Sequence, residues 1–263
     1  MPYELIGLER QGHVAIVTLK RPEVLNALNT QITGELHDAI EEIGADSEIR
    51  ALVITGEGRG FCTGADVKQV ASGLGVKRKV SADMTSEREI IQLAPRIREI
   101  PQPVIMAING VTAGGGLGLA LSGDIRIASE LARFSCIFVK RSLVPDTASS
   151  YTLPQLVGFG IASEMALTGN IYDAQWAERV GLVNSVVPAA ELMETALALA
   201  NDIAANPPLA VRSIKQLMNS WYENLETAIY RESDANIPNA DTADRREAVL
   251  SFVEKRAPVF FGR

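Results

Sequence analysis

Three consecutive glycines, Gly114-Gly115-Gly116, stand in the run Asn109-Gly110-Val111-Thr112-Ala113-Gly114-Gly115-Gly116-Leu117-Gly118, directly after the apolar stretch Pro103 to Ile108. That stretch reads as a strand, so the run must turn a strand into a helix on residues that have no side chains. Such a turn leaves the first helical N–H groups unpaired and reachable, and their partial positive charge favours an anionic atom. The chain is thereby directed to folds in which strands feed helices and a ligand can approach bare backbone.

The rest of the sequence supports an α/β class. Met1 to Lys20 alternates apolar and polar residues, with His13 to Leu19 as the clearest strand. Further strand signals lie at Ala51 to Thr55, Pro103 to Ile108, Asp124 to Ala128 and Leu182 to Val187. Helical patterns fall between them; one begins near Thr30 and carries Ile32, Leu36, Ile40 and Ile43 on one face. Ala71 to Ser86 is polar and includes Lys77-Arg78-Lys79, the composition of a loop or lid with solvated cations. After Pro188 the pattern is almost wholly helical, with Pro207-Pro208 as a break, so a boundary is expected near residue 200: 1–200 as core and 201–263 as a helical region.

At 263 residues and 47% hydrophobic content, the chain can bury a full core without disulfides or metals. Its formal charge of -7 gives no long-range attraction for phosphate backbones or anionic membranes, so an anionic ligand must be met by local cations. Cys62 and Cys136 have neither disulfide nor metal spacing and are read as free thiols. No signal peptide is read, and Leu192 to Ala205 is too short and too interrupted to span a bilayer. The expectation is a cytoplasmic protein with no metal, nucleic-acid or membrane partner.

A second small-residue loop, Gly60-Phe61-Cys62-Thr63-Gly64-Ala65-Asp66-Val67-Lys68, reads as a run into a helix capped by Asp66. The glycine-rich turn does not complete a dinucleotide fingerprint, because Leu121 stands where a third small residue belongs. No P-loop, nucleophile elbow or zinc-binding helix is present, and His13 and His37 lie far apart on structural elements. Asp146, within Leu143-Val144-Pro145-Asp146-Thr147-Ala148-Ser149-Ser150, precedes an apparent helix. Taken alone it is either an N-cap or a reactive carboxylate.

In combination these segments resemble a family. Arg21-Pro22-x-x-x-Asn26-Ala27-Leu28, Gly64-Ala65-Asp66, Asn109-Gly110 with the triple glycine, Asp124-Ile125-Arg126-Ile127-Ala128 with Phe134, and the tail Ser251 to Pro258 look like the ordered landmarks of the crotonase (enoyl-CoA hydratase/isomerase) superfamily. The resemblance implies a spiral of ββα turns, a helical C-terminal oligomerisation region, homotrimers or dimers of trimers, and an acyl-CoA substrate with no permanent cofactor. It implies that the Ala65 and Gly115 amides form an oxyanion hole, with Gly64 and Gly114 beside them. Ala27, Asp66 and Lys68 fall at or beside CoA-contacting positions, and Arg21 and Lys255 are further candidates for the CoA phosphates or else ordinary surface charges.

Where the family's hydratases carry two catalytic glutamates, this sequence aligns Gly118 and Phe138, which are expected to shape the acyl pocket as space and an apolar wall. Hydration needs a positioned water and a delivered proton, whereas a double-bond shift needs one carboxylate that takes a proton and returns it. Asp146 is the candidate acid/base, its pKa raised by Leu143, Val144 and Phe138 around it. Its segment is similar both to phenylacetate-pathway isomerases and to 4-chlorobenzoyl-CoA dehalogenases, in which the aspartate would be a nucleophile. The dehalogenases have tryptophan at the Phe138 position and a histidine on the helix before Pro103, where this chain has Ile90, Ile91 and Gln92. Isomerase is therefore ranked first, dehalogenase second, and a non-catalytic acyl-CoA-binding subunit third.

Overall fold

The computed structural model describes residues 3–66, 89–220 and 242–263. The candidate lid from Ala71 to Ser86 and the candidate contact Lys68 lie outside the described residues. Strand β1 (Ile6–Gln11) pairs antiparallel with β2 (Val14–Leu19) across the two-residue turn Gly12-His13. Helix α1 (Thr30–Ala45) follows; Asn29 caps it, its Oδ1 accepting from the Ile32 N–H at 3.0 Å.

Two strands come next, β3 (Ala51–Gly56) and β4 (Gly60–Cys62), then helix α2 (Ile90–Glu99). The pattern repeats with β5 (Val104–Ile108), β6 (Val111–Ala113) and α3 (Gly115–Leu121). A third pair, β7 (Ile125–Ser129) and β8 (Arg133–Ser135), leads through a 3-10 turn at Ile137–Arg141 to α4 (Ser149–Val157) and α5 (Phe159–Thr168). Each pair sends its first strand to one sheet and its second to another. The larger sheet has the order β1-β2-β3-β5-β7-β10, parallel after the first hairpin, with β10 at Ser185–Val187. The smaller runs β4-β6-β8-β9, with β9 (Tyr172–Asp173) antiparallel at its edge. This is the expected spiral of strand-strand-helix turns.

Side-chain alternation explains the layers. On β2, β3 and β5 the residues Ala15, Val17, Leu52, Ile54, Val104 and Met106 face one apolar cluster with Ile32, Leu36, Ile40 and Ile43 of α1. Their neighbours Val14, Ile16, Ala51, Val53, Ile105 and Ala107 face a second cluster. Leu192, Ala196, Ala200 and Ala204 of α7 (Leu192–Ala204) pack there, after the short α6 (Ala174–Arg179). With both faces covered, the strands read as continuous apolar runs, which is why they were legible.

Among the described residues the last two helices are α8 (Pro208–Asn219) and α9 (Ala243–Glu254). Lys215 of α8 is 5% exposed. Its Nζ donates to the carbonyls of Ile97 and Gln102 and pairs with Asp124 at 3.1 Å. Burial lowers its pKa and the Asp124 carboxylate opposes that shift. Arg50, just before β3, donates to the carbonyls of Ala204 and Phe260, tying the C-terminal tail to the start of the sheet. Among the described residues no helix is long and apolar enough to cross a membrane, and no cluster of potential metal ligands occurs.

The first sequence strand was read as a single alternation and is a hairpin; the expected strand at Leu182 to Val187 is confined to its last three residues.

Candidate active site

The two small-residue loops meet. β4 and β6 lie side by side, and α3 starts directly after β6, so Thr63 to Asp66 and Gly114-Gly115 are brought edge to edge. Gly64 has a φ of +79°, open to glycine, and a β-carbon placed on it would lie 2.7 Å from the Gly115 nitrogen. Gly116 packs so closely on β4 that a β-carbon there would be 2.1 Å from the Cys62 carbonyl oxygen. Both are required by contact with backbone, which cannot move aside.

The Ala65 and Gly115 N–H groups are unpaired donors at this junction among the described residues. Leu28 donates to the Gly64 carbonyl at 2.7 Å and accepts from the Asp66 N–H at 2.9 Å. This parallel bridge turns the Ala65 N–H to the opposite side. In α3, the Gly114 carbonyl takes the N–H groups of Leu117 and Gly118, while Gly114 itself donates to Ser135. Among the described residues neither the Ala65 nor the Gly115 N–H has a hydrogen-bond partner.

Two asparagines, one buried and one half-buried, hold this floor. Asn26, fully buried at φ 55°, donates to the Glu57 and Gly60 carbonyls and accepts from the Arg21 N–H. Asn109 donates to the Gly58 and Gly60 carbonyls and accepts from the Gly56 N–H. Together they fix the β3–β4 turn that leads to Ala65. Their signal in the sequence is a polar amide next to an apolar run, which by itself assigns neither a role.

Asp146 reaches the junction from the other side. A β-carbon built on Gly115 would be 3.5 Å from Asp146 Oδ1, from Thr147 Oγ1 and from Ile90 Cγ2. Thr147 Oγ1 donates to Asp146 Oδ1 at 2.9 Å, and no described residue donates to Oδ2. As a whole residue Asp146 is exposed. Even so, loss of hydration at the carboxyl raises its pKa above the ordinary 3.8, with the Thr147 hydroxyl acting in the opposite direction. Asp146 is also the acceptor that begins the next turn: its carbonyl takes the Ser149 N–H and hydroxyl, while Ala148 is the N-cap residue of α4. The carboxylate is thus left free of the capping role that the sequence alone allowed.

Several expectations need correcting. Gly118 does not open space: a β-carbon there would lie 2.6 Å from Thr147 Cβ and 2.7 Å from its carbonyl oxygen, so Thr147 already fills the position. Leu143 and Val144 do not enclose Asp146, being 59% and 79% exposed. Gly115 and the Thr147 hydroxyl lie beside its carboxyl instead. Phe138 is buried in the main apolar cluster. Arg21 is committed within the protein, its guanidinium donating to Asp66 at 2.9 Å and to the Ala27 carbonyl, so it braces the Ala27 and Asp66 segments. Asp66 receives that ion pair, and the helix it was expected to open lies outside the described residues. Lys255 stands exposed just beyond α9.

Of the two histidines, His13 bonds the Glu48 carbonyl and His37 the Glu89 carbonyl, both structural contacts. Cys62 and Cys136 are buried free thiols, and burial pushes Cys62 up to about 12 and Cys136 up to about 11.

A spiral of ββα turns that brings two backbone donors, unpaired among the described residues, close to one acidic side chain defines the class of protein structurally. The comparisons make that class specific. The family model for enoyl-CoA hydratase/isomerase matches residues 9–263, and the chain belongs to that family. A short-chain-enoyl-CoA hydratase of Clostridium acetobutylicum is 38% identical over 251 residues, 95% of this chain and 94% of that protein. A 1,2-epoxyphenylacetyl-CoA isomerase of Escherichia coli is 38% identical over 258 residues, 95% of each chain. An enoyl-CoA hydratase crystal structure from Bacillus anthracis superposes with a TM-score of 0.91 at 33% identity, covering 99% of this chain and 100% of that one.

Proposed function

We propose that the chain is an acyl-CoA isomerase that moves a double bond by proton transfer through Asp146, with the Ala65 and Gly115 N–H groups holding the thioester oxygen. The observation that carries the reading is the juxtaposition of Asp146 Oδ1 with Gly115 beside those unpaired donors. The carboxylate takes a proton from one carbon of the acyl chain, and the electron pair released moves through the conjugated system onto the thioester oxygen. The resulting enolate collapses as the same carboxyl returns the proton to a second carbon, so one acid/base suffices and nothing is consumed. Each backbone donor aimed at the developing oxyanion contributes about 3 kcal/mol in a water-poor site. The upward shift of Asp146 makes it a stronger base than an ordinary aspartate.

Identity does not choose between hydration and isomerisation, because the hydratase and isomerase relatives are each 38% identical. The residues do. Hydration requires a second polar group to hold water, and position 118 is a glycine covered by Thr147 while position 138 is a buried phenylalanine. Exchange of the α and γ protons of an enoyl-CoA in deuterated water tests the proposal: exchange in the wild type, lost in Asp146→Asn with acyl-CoA binding retained, supports it. Unchanged turnover in that variant removes Asp146 from the mechanism. Chloride release from a chlorobenzoyl-CoA would instead favour the nucleophilic dehalogenase reading, and binding without exchange or turnover would favour a non-catalytic subunit.

The C-terminal region, residues 201–263, is proposed to build a homotrimer or a dimer of trimers. Ile214, Met218, Leu250, Val259 and Phe261, each more than half exposed in the isolated chain, support that reading.

A further inference from the structure

Thr147 is an improbable residue for its position. Its φ is 49°, and Ala148 follows at 57°, so a β-branched side chain sits in the left-handed region where glycine or asparagine would cost less. It is 2% exposed, and its Cβ, Cγ2 and carbonyl oxygen occupy the ground above Gly118. Its hydroxyl faces the other way, onto Asp146 Oδ1 at 2.9 Å. One face is therefore a wedge into α3, and the other is a hydrogen-bond donor at the carboxylate. A left-handed residue kept against its own preference, with every side-chain atom engaged, points to a function for that side chain.

We propose that Thr147 is a positioning residue that turns Asp146 so that Oδ1 is held by the protein and Oδ2 carries the proton, and that Gly118 is its seat. The inference rests on the reading of Asp146 given above and deepens it. Of the two carboxyl oxygens, Oδ1 has a fixed donor, whereas no described residue donates to Oδ2. In each turnover a substrate C–H bond breaks as the Oδ2–H bond forms, and the reverse occurs at the second carbon. Without the donor, the carboxyl can rotate about its terminal torsion, which is broad in aspartate, and both oxygens share the task imperfectly. The hydroxyl also favours the charged form, so its loss moves the protonation of Asp146 further upward.

Thr147→Val keeps the wedge and removes the donor; Thr147→Ser keeps the donor and trims the wedge; Gly118→Ala places a carbon 2.6 Å from Thr147 Cβ and displaces the residue from its seat. For each full-length variant, kcat, KM and the pH profile of isomerisation are measured beside Asp146→Asn. The expected result is that Thr147→Val lowers kcat about ten- to hundredfold with KM nearly unchanged and moves the acidic limb of the profile to higher pH. Thr147→Ser should restore most of the rate and return the limb, and Gly118→Ala should reproduce the valine phenotype. A wild-type limb and rate in Thr147→Val, or no recovery in Thr147→Ser, overturns the positioning role. Should Thr147→Val fail to fold, a wild-type limb and rate in Gly118→Ala would overturn it equally. An active Asp146→Asn would instead defeat the underlying assignment, so the two failures are distinguishable.

Discussion

The floor of the site and the segment that carries Asp146 are built on opposite principles. In the proposed reading Ala65 and Gly115 act through main-chain atoms, in a junction where Gly116 touches backbone directly and two asparagines bond the neighbouring carbonyls. In the same reading Asp146 acts through a side chain, on a partly exposed stretch with consecutive non-glycine residues, Thr147 and Ala148, at positive φ. The first region tolerates almost no change in shape, and the second is held by a few local bonds. A fold arranged in this way can keep one means of stabilising charge while the residue that moves protons is exchanged, which suits a family whose name covers both addition and rearrangement.

Mutations should separate the two regions sharply. The largest effect belongs to Asp146→Asn, for which kcat should fall about a thousandfold, while thermal unfolding at neutral pH should show no loss of stability. The sign follows from linkage. The native pKa lies above the ordinary 3.8, so between those values the folded protein binds more protons than the unfolded chain. Stability contributed by this group is therefore lost as pH rises through that window, and replacing the carboxylate removes a small cost. A drop in melting temperature would show that the Asp146 segment is structurally integral after all.

Gly116→Ala should do the reverse, losing about 3 kcal/mol in urea unfolding because its β-carbon meets the Cys62 carbonyl, with activity lost only as folded protein is lost. Asn26→Ala comes next. It removes a buried amide that makes three hydrogen bonds with the backbone, and a destabilisation of about 2 kcal/mol is expected. Smallest of all, Val144→Ser should change stability by under about 0.5 kcal/mol, since the side chain is 79% exposed. Its effect on the pH profile should also be slight, because so exposed a side chain removes little water from the carboxyl, beside which Gly115 and the Thr147 hydroxyl lie. A marked shift would return Val144 to the site.

The same contrast governs what could be read before any coordinates. The central strands of the larger sheet announced themselves because both faces are buried, and Ala51–Gly56 is apolar or small nearly throughout. The smaller sheet escaped notice: Gly60–Cys62, Val111–Ala113 and Arg133–Ser135 are three residues each, too short for a period. The hairpin was missed because Gly12-His13 interrupts the alternation so briefly, although glycine there was the available signal. The residues of the floor were visible as a pattern of absent side chains. What filled the absence was not, and Gly118 looked like room when Thr147 stands in it. Likewise Leu143 and Val144 suggested an enclosure by composition, but hydrophobicity does not say which way a loop faces. Arg21 presented itself as a spare charge, and only the three-dimensional path of the chain reveals that Asp66, far along the sequence, already answers it.

Lys215 has a consequence for the order in which the molecule is made. Its ammonium binds the Gln102 carbonyl from 113 residues further along the chain, and binds Ile97 and Asp124 as well. During synthesis the spiral can begin to condense, yet that internal corner stays wet until α8 leaves the ribosome. The last helices thus act as a keystone for strands made long before, and a nascent chain stalled short of residue 215 would present an unfinished joint to any chaperone that meets it.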